Sequence, residues 1–337
     1  MSAERPMDGQ PLLRVTDLVT EFRVHGGVVR AVNGVTFDIH AGETVGIVGE
    51  SGSGKSVTVM SALGLLPSAG RVVAGHAHFA GRDLVAMRER ELQQVRGKEI
   101  GLVFQDPMTA LNPVMTVGTQ VSEGLRQHNP GMGRRAAAGR AVELLAEVGI
   151  PDPKRRAKQY PHEFSGGMRQ RAMIAIAMAN RPRLIIADEP TTALDVTIQA
   201  QILDLLRRVQ QETGAALMMI THDLGVIAEM TQRVIVMYAG RVVETAGVDA
   251  AFHDGRHPYT RALLQSLPKL YHRVEELPAI GGQPPNPQRL PDGCAFRPRC
   301  ARSRGRDACL TRPELVETGP EHQAACHFHD EAVEVGA

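Results

Sequence analysis

The chain has 337 residues and a formal net charge of +1, and 43% of its residues are hydrophobic and 22% charged. This length predicts about two domains, and no apolar run approaches the roughly 18 residues that span a bilayer. So small a net charge gives no electrostatic reason to expect a nucleic acid as partner. The first residues, MSAERPMDGQ, lack the apolar segment of a secretory signal, so we expect a cytoplasmic protein.

Residues 12–50 predict strands, because LLRVTDLVTEF, VVRAVNGVTFDI and ETVGIVG carry Val, Ile, Thr and Phe between turn residues. A glycine-rich loop follows. After it, SVTVMSALGLL is typical of a helix, which we expect to stop at Pro67. Strand, loop and helix in this order are the usual setting of a phosphate-binding loop.

Between about residues 107 and 180 the pattern becomes helical and predicts an inserted helical subdomain, most clearly in RRAAAGRAVELLAEVGI and GGMRQRAMIAIAMAN. The apolar strands RLIIAD, ALMMITH and RVIVMYAG come next, with one long helix among them. The apolar residues of that helix share one face: Ile198, Ile202, Leu205, Leu206 and Val209. Alternating strands and helices predict an α/β fold with a mostly parallel sheet.

The composition changes after about residue 256. Six prolines lie between residues 278 and 298, which excludes a long helix or a central strand there. We therefore place a boundary near residues 250–280. Residues 1–255 are predicted to form one domain, and residues 256–337 an irregular C-terminal extension.

The stretch GESGSGKS matches the pattern G-x-x-x-x-G-K-[ST], which binds the phosphates of a nucleoside triphosphate. Its glycines allow a tight turn in which backbone N–H groups and the following helix N-terminus face phosphate oxygens. We expect Lys55 to reach the β- and γ-phosphates and Ser56 to ligate Mg²⁺. The predicted nucleotide contacts are Gly49, Glu50, Ser51, Gly52, Ser53, Gly54, Lys55, Ser56 and Val57.

Two acidic residues follow a second apolar strand. LIIADEP places Asp188 at the strand end, where its carboxylate can hold the Mg²⁺ shell, and Glu189 directly after it. A carboxylate beside the metal suits a general base that polarises the attacking water. Two adjacent acids alone are more often a solvated turn, but the phosphate-binding loop favours the catalytic interpretation and therefore hydrolysis.

The chain contains, in this order, GESGSGKS, FQDP, FSGGMRQR, LIIADEPTTALD and MMITHD. Over roughly residues 12–245 this series resembles the ATP-binding subunit of an ABC transporter. The resemblance implies a P-loop NTPase cassette with an N-terminal antiparallel β region, an inserted helical subdomain and bound ATP and Mg²⁺.

The resemblance also implies roles for single residues. Gln105 would ligate Mg²⁺ and connect the γ-phosphate region to a membrane partner. His222 would contact the γ-phosphate and orient Glu189. The predicted catalytic residues are thus Glu189, His222, Lys55 and Gln105.

A second ATPase subunit is implied as well. Ser165, Gly166 and Gly167 would form a signature loop that caps the γ-phosphate held by that subunit, and Asp195 would lie at the shared interface. The signature reads FSGGM where LSGGQ is commoner. This variant is usual in one of the two ATPases of peptide importers, which favours a different chain as partner.

The aromatic residue that stacks on adenine is less clear from the sequence. Phe22 and His25 are the two candidates, and Phe22 is about as well suited to the core.

The segments HPYTRALLQSLP and GCAFRPRCARSRGRDACL resemble the C-terminal extension of oligopeptide, dipeptide and nickel importers. This resemblance implies an ATPase peripheral to the cytoplasmic face of the inner membrane. Its implied partners are two membrane permease subunits and, indirectly, an extracytoplasmic solute-binding protein.

All four cysteines of the chain lie in this extension: Cys294, Cys300, Cys309 and Cys326. Clustered thiols in a cytoplasmic protein more often bind metal than form disulfides. The paired knuckles of zinc sites are missing, and some members of the resembled group carry a 4Fe–4S cluster here, so we expect that cluster, with Zn²⁺ or four free thiols as the alternatives. His322, His327 and His329 lie close by in the sequence and could substitute as ligands, although histidines there are more often surface residues. Because the ATP site is placed in a separate core, we expect cysteine substitutions to spare nucleotide affinity.

Three other functions remain open at this point. One is import of nickel or another small solute. A second is a soluble ABC ATPase of translation or DNA repair, a class that usually has two cassettes or long coiled-coil insertions. A third is a regulatory binder that does not hydrolyse ATP, against which Glu189 and His222 argue.

Overall fold

The computed structural model describes residues 10–266 and 280–331. Its strands are β1 (Leu13–Val24), β2 (Gly27–Ile39), β3 (Thr44–Val48), β4 (Gly70–Phe79), β5 (Arg82–Asp83), β6 (Ile100–Val103), β7 (Leu184–Asp188), β8 (Ala216–Ile220), β9 (Arg233–Tyr238), β10 (Arg241–Gly247), β11 (Val316–Gly319) and β12 (His322–Ala324). Its helices are α1 (Lys55–Ala62), α2 (Glu89–Val95), α3 (Pro107–Ala110), α4 (Val117–His128), α5 (Arg134–Glu147), α6 (Pro153–Arg156), α7 (Gly166–Met178), α8 (Val196–Thr213), α9 (Leu224–Met230), α10 (Val248–Asp254) and α11 (Pro258–Gln265).

The described residues belong to two compact units. We call the first the helical unit; it holds the residues up to Leu12, Ile39–Thr44 and Ala86–Ile220. We call the second the P-loop unit; it holds Leu13–Asp38, Val45–Val85 and the residues from Thr221 onward.

The P-loop unit contains two sheets. The first is antiparallel, with strand order β2-β1-β4-β5. In the second, β3 pairs in parallel with β9, and β10, β12 and β11 add to β9 as antiparallel strands. The residues of β3 are all buried valine, isoleucine, threonine and glycine, which suits a strand covered on both faces.

The helical unit is built around α7 and three parallel strands in the order β8-β7-β6. Helix α7 contacts β6 and the helices α3, α4, α5 and α8. Its apolar residues are therefore buried on several sides, with Ala172, Ile174 and Ala175 at most 1% exposed.

The predicted α/β fold with a mostly parallel core and an N-terminal antiparallel region is confirmed, but two details differ. Helix α1 ends at Ala62 and not at Pro67, because Gly64 has a left-handed φ of 63°. The extension is not wholly irregular, since β11 and β12 form a hairpin that pairs with β10.

Part of the predicted boundary interval, residues 267–279, lies outside the described residues, as do the N-terminal residues 1–9. The division at residue 255 stays a prediction. Over the part of the chain that the structure describes, no helix combines the length and apolarity needed to cross a membrane.

Candidate nucleotide-binding site

The predicted phosphate-binding loop joins β3 to α1 in the P-loop unit. Gly49 has φ 155°, and a Cβ there would lie 2.2 Å from the carbonyl oxygen of Met237. Gly54 has φ 100°, and a Cβ there would lie 2.6 Å from the carbonyl oxygen of Ala31. Only glycine fits either position, because the loop passes close to these two backbone carbonyl groups in a left-handed conformation.

The polar groups inside this loop are suited to phosphate. The Nζ of Lys55 donates to the carbonyl oxygens of Gly49 (2.7 Å) and Glu50 (3.1 Å). The Oγ of Ser53 is buried and has no hydrogen-bond partner among the described residues. A buried hydroxyl without a partner is costly, and a phosphate oxygen would satisfy it. The loop therefore fits the triphosphate that its sequence predicts.

The remaining loop residues differ in exposure. Ser51 and Gly52 are exposed, whereas Ser56 and Val57, in the first turn of α1, are partly buried. His222 also lies in the P-loop unit and is exposed. The residue after it, Asp223, caps α9 by accepting the N–H groups of Gly225 and Val226.

In the helical unit, Glu189 and Gln105 are brought together. Glu189 directly follows β7, whose last residue Asp188 is 7% exposed. The Oε2 of Glu189 accepts hydrogen bonds from Gln105 Nε2 (3.1 Å) and Thr192 Oγ1 (2.8 Å). Its backbone has φ 46°, a left-handed conformation that costs a non-glycine residue on the order of 1 kcal/mol.

The signature segment begins α7. Ser165 caps this helix by accepting the N–H of Met168, and Ser165 and Gly166 are exposed. A Cβ on Gly167 would lie 2.7 Å from Ile198 Cγ2, so glycine is needed where α7 approaches α8. Phe164 is 3% exposed, which shows that the unusual first residue of the signature is a core residue.

Asp195 is placed at the N-terminus of α8. Its carboxylate accepts the N–H of Ile198 at 3.0 Å and caps the helix. Of the two candidates for adenine stacking, the ring of Phe22 packs over Gly70, where a Cβ would lie 2.7 Å from Phe22 Cε1, and His25 is exposed. Neither position decides between them.

The four cysteines line one small cavity in the P-loop unit, with a volume of about 10 Å³. All four are free thiols, and burial raises the pKa of Cys294, Cys309 and Cys326, the last to about 11. Among the described residues no group of three or more His, Cys, Asp or Glu side chains could hold a metal ion. The predicted metal site is therefore not supported by this geometry, since the space corresponds to about one water molecule.

A buried network that the sequence did not reveal holds the HPY segment. The side chain of Glu244 is fully buried and accepts hydrogen bonds from the backbone N–H groups of Arg256 and His257 and from His322 Nε2 (2.7 Å). Burial pushes the pKa of Glu244 upward, but these hydrogen bonds outweigh it and the pKa is lowered. Nδ1 of His257 in turn accepts the N–H of Tyr259 at 3.0 Å.

Comparison with known proteins identifies the family of this chain. Residues 32–192 match the family model for ABC transporters, and residues 243–309 match the C-terminal region of oligopeptide/dipeptide transporters. The oligopeptide transport ATP-binding protein OppD of Bacillus subtilis is 55% identical over 85% of this chain and 80% of that protein. The chain belongs to the ABC transporter family.

OppD of Mycobacterium tuberculosis is 52% identical over 94% of this ABC protein, but the match covers only 52% of the mycobacterial chain. The chain thus spans about half the length of that relative. A solved dimeric ATP-binding cassette with bound ADP and Pi has a TM-score of 0.64 and 30% identity, over 70% of this chain and 98% of the other. CbiO1 of Clostridium perfringens, part of the ABC transporter complex CbiONQ, has a TM-score of 0.60 and 28% identity, over 72% and 90%.

These comparisons confirm the family that the motifs predicted. The roles of single residues within this ABC protein stay predictions. Three residues with buried contacts in the P-loop unit were given no role from the sequence, namely Arg299, Tyr259 and Glu244. The only available signal was the quoted HPY segment, which contains Tyr259 but does not reveal its contacts.

Proposed function

We propose that this chain is the ATP-hydrolysing subunit of a membrane ABC importer for dipeptides or oligopeptides. The observation that carries the proposal is a glycine-formed phosphate loop in the same chain as the C-terminal region of oligopeptide/dipeptide transporters. Binding of ATP closes a dimer of ATPase subunits, and hydrolysis resets it, which drives the membrane subunits.

ATP binds with its phosphates in the loop. The backbone of Gly49 to Gly54 and the N-terminus of α1 face the phosphates, and Lys55 exchanges its carbonyl contacts for the β- and γ-phosphate oxygens. Ser56, Asp188 and Gln105 would hold Mg²⁺, which neutralises phosphate charge when bound. The unpartnered Ser53 hydroxyl supports this assignment.

Glu189 is the proposed general base. Its carboxylate is held by Gln105 and Thr192, so it can be aimed at a water molecule beside the γ-phosphate. His222 would contact the γ-phosphate and orient Glu189. Because Gln105 bonds to Glu189 directly, movement of Gln105 changes the position of the base.

The proposed first partner is a second ATPase subunit, a different chain. Ser165, Gly166 and Gly167 at the N-terminus of α7 would face the γ-phosphate held by that subunit, and Asp195 would lie at the interface. The exposure of Ser165 and Gly166 supports this, as does Val196, which is 83% exposed beside Asp195. The similarity to a dimeric cassette with bound ADP and Pi points in the same direction.

Two membrane permease subunits are the other proposed partners, with a solute-binding protein acting through them. Three large apolar side chains are exposed close to Gln105 in sequence, namely Phe104, Met108 and Val114. Exposed apolar side chains in one segment would suit a protein contact. The chain would then act at the cytoplasmic face of the inner membrane.

A group held by the four cysteines is a separate proposal, and no step above depends on it. A 4Fe–4S cluster, or Zn²⁺ as the alternative, would require the cysteine cavity to open from about 10 Å³. Anaerobic purification with iron supplied tests it: about four irons per chain would support the cluster, and stoichiometric zinc the alternative. Protein free of metal would overturn both.

Peptide uptake tests the main proposal. A strain that lacks this chain should lose uptake of labelled peptides and regain it with the wild-type chain, but not with Glu189→Gln. The matched control Glu212→Gln changes an exposed acid in α8 and should restore uptake. Unimpaired peptide uptake in the deletion strain would contradict peptide import, and loss of nickel uptake instead would identify the alternative cargo.

A further inference from the structure

The C-terminal extension contacts the phosphate loop at Glu50. The Nη1 and Nη2 atoms of Arg299 donate to the two carboxylate oxygens of Glu50 at 2.6 and 2.9 Å. The Arg299 side chain is 4% exposed and that of Glu50 25%. A two-pronged guanidinium–carboxylate pair of this kind fixes orientation as well as charge.

The backbone of Glu50 is also engaged. Its N–H donates to the hydroxyl of Tyr259 at 2.7 Å, and its carbonyl oxygen accepts from the N–H of Ser53 and from Lys55 Nζ, each at 3.1 Å. The backbone and carboxylate groups of Glu50 are therefore all bonded. The contacts of its N–H and its carboxylate come from residues 209 and 249 positions away in the chain.

Arg299 and Tyr259 also make contacts with other residues of the P-loop unit, which fix their side chains. The Arg299 guanidinium also donates to the carbonyl oxygens of Gly281 (2.9 Å) and Ile280 (3.3 Å), and lies 5.9 Å from the ring centres of Tyr238 and Phe296. Tyr259 is fully buried, with its ring 4.5 Å from that of Tyr238. All of these contacts are made within the chain itself, and they fix the two side chains that bind Glu50.

The charge of Glu50 makes this pairing relevant to ATP. A carboxylate in a loop that receives a triphosphate repels it, and the repulsion is largest when that carboxylate is unpaired. The guanidinium of Arg299 neutralises the carboxylate. The hydroxyl of Tyr259 fixes the N–H of the same residue, and the loop thus keeps the form in which Lys55 lies against Glu50.

We propose that Arg299 and Tyr259 of the C-terminal extension are positioning residues for nucleotide binding, which they support by holding Glu50 neutralised and fixed. This rests on the proposed binding of ATP to the loop. The extension is then part of the support of the ATP site. Arg299 directly precedes Cys300, so the cysteine region and the loop are joined through one side chain.

The test measures ATP affinity of the full-length chain by equilibrium titration with Mg²⁺ and ATP. We expect Arg299→Ala to weaken ATP binding about tenfold, because preorganised contacts of this kind contribute on the order of a tenfold change. Arg299→Lys should recover part of the loss, since lysine keeps the charge but not the fork. The control Arg306→Ala removes an exposed ion pair with Glu331 in the same extension and should bind ATP as the wild type does.

A double variant separates this role from a general loss of structure. Adding Glu50→Gln to Arg299→Ala removes the unpaired carboxylate, so ATP affinity should return to within about threefold of the wild type. Failure of this rescue would overturn the electrostatic part of the proposal. If Arg299→Ala does not fold, Tyr259→Phe removes only the hydroxyl and should still weaken ATP binding.

The ATP titration also distinguishes failure of the proposed function from failure of the role given to Arg299 and Tyr259. If the wild-type chain does not bind ATP, the proposed function itself is wrong. If the wild type binds ATP and both Arg299→Ala and Tyr259→Phe bind ATP as tightly as it does, the loop does not need these residues. The inference is then overturned.

Discussion

The phosphate loop and the segment around Glu189 are held in different ways. In the loop, Glu50 is fixed by hydrogen bonds of its N–H, its carbonyl oxygen and its carboxylate. Two of its partners, Tyr259 and Arg299, come from a distant part of the chain. Glu189 is held by the side chains of Gln105 and Thr192 on a backbone with φ 46°. Side-chain hydrogen bonds near the surface exchange more readily than a buried two-pronged ion pair. In the proposed function, the more rigid part would bind ATP and the more adjustable part would hydrolyse it.

The largest expected effect lies in the adjustable part. Glu189→Gln keeps the shape of the side chain but removes the proton acceptor, so ATP turnover should fall by about 100- to 10,000-fold while ATP affinity is retained. Phosphate release and nucleotide affinity are measured separately. Glu212→Gln serves as the control and should hydrolyse ATP normally. Near-normal hydrolysis by Glu189→Gln would remove the assigned base.

The second prediction concerns His257, which accepts the N–H of Tyr259, and the way in which the free energy of unfolding depends on pH. Burial lowers the pKa of His257 to about 4 from its ordinary 6.5, so below pH 6.5 the unfolded chain binds a proton that the folded chain does not. The free energy of unfolding therefore falls as the pH drops through this window, by about 3 kcal/mol in total. His257→Asn, whose Oδ1 can accept the same N–H of Tyr259, should lose this part of the acid sensitivity.

Urea unfolding at pH 7 and pH 5 measures the effect as a difference between the wild type and the variant. The control His253→Asn changes an exposed histidine of α10 and should keep the wild-type dependence. Equal acid sensitivity of His257→Asn and the wild type would contradict the buried neutral ring.

The third prediction concerns binding itself. Lys55→Ala removes the cation that faces the terminal phosphates, and hydrogen bonds to charged groups contribute about 1.5–3 kcal/mol, so ATP affinity should fall by about 10- to 100-fold. The exposed lysine of α6 provides the control, Lys154→Ala, with unchanged affinity. If Lys55→Ala bound ATP with wild-type affinity, the proposal that this loop binds the phosphates would be contradicted.

The fourth prediction addresses coupling to the proposed partners. The isolated chain should hydrolyse ATP poorly, and the partner ATPase and membrane subunits should stimulate it. Gln105→Ala should reduce that stimulation by about tenfold and change ATP affinity less, because Gln105 donates a hydrogen bond to the proposed base Glu189. Gln211→Ala, an exposed residue of α8, is the control. Full activity of a demonstrably monomeric preparation would contradict a shared site.

The smallest expected effect is on ATP affinity after substitution of Cys300, the residue that follows Arg299. The sequence places the ATP site in a separate core and so predicts that cysteine substitutions spare ATP affinity. The contact of Arg299 with Glu50 predicts instead that Cys300→Ser weakens ATP binding by about threefold, within the range of coupling through packed contacts. Equilibrium ATP titration measures this, with Ser303→Ala as a comparison within the same segment. No change in Cys300→Ser would limit the support to Arg299 and Tyr259.

Sequence patterns were enough to predict the phosphate loop, the order of strands and helices and the family. Each of these is encoded by residues close together in the chain: glycines at fixed spacing, apolar runs of strand length, and acids directly after a strand. Phe164 shows the limit even of such local patterns, because the signature spacing could not show that this residue belongs to the core.

Contacts between side chains far apart in the chain could be identified only in the folded structure. No periodicity relates Glu50 to Arg299, and the pair forms because the rings of Tyr238, Tyr259 and Phe296 pack the extension against β9 and β10. In the same way, the buried carboxylate of Glu244 meets His322, which lies 78 residues away. Local patterns limit local geometry, whereas such contacts depend on how distant segments pack, and this is why the support of the ATP site was not visible in the sequence.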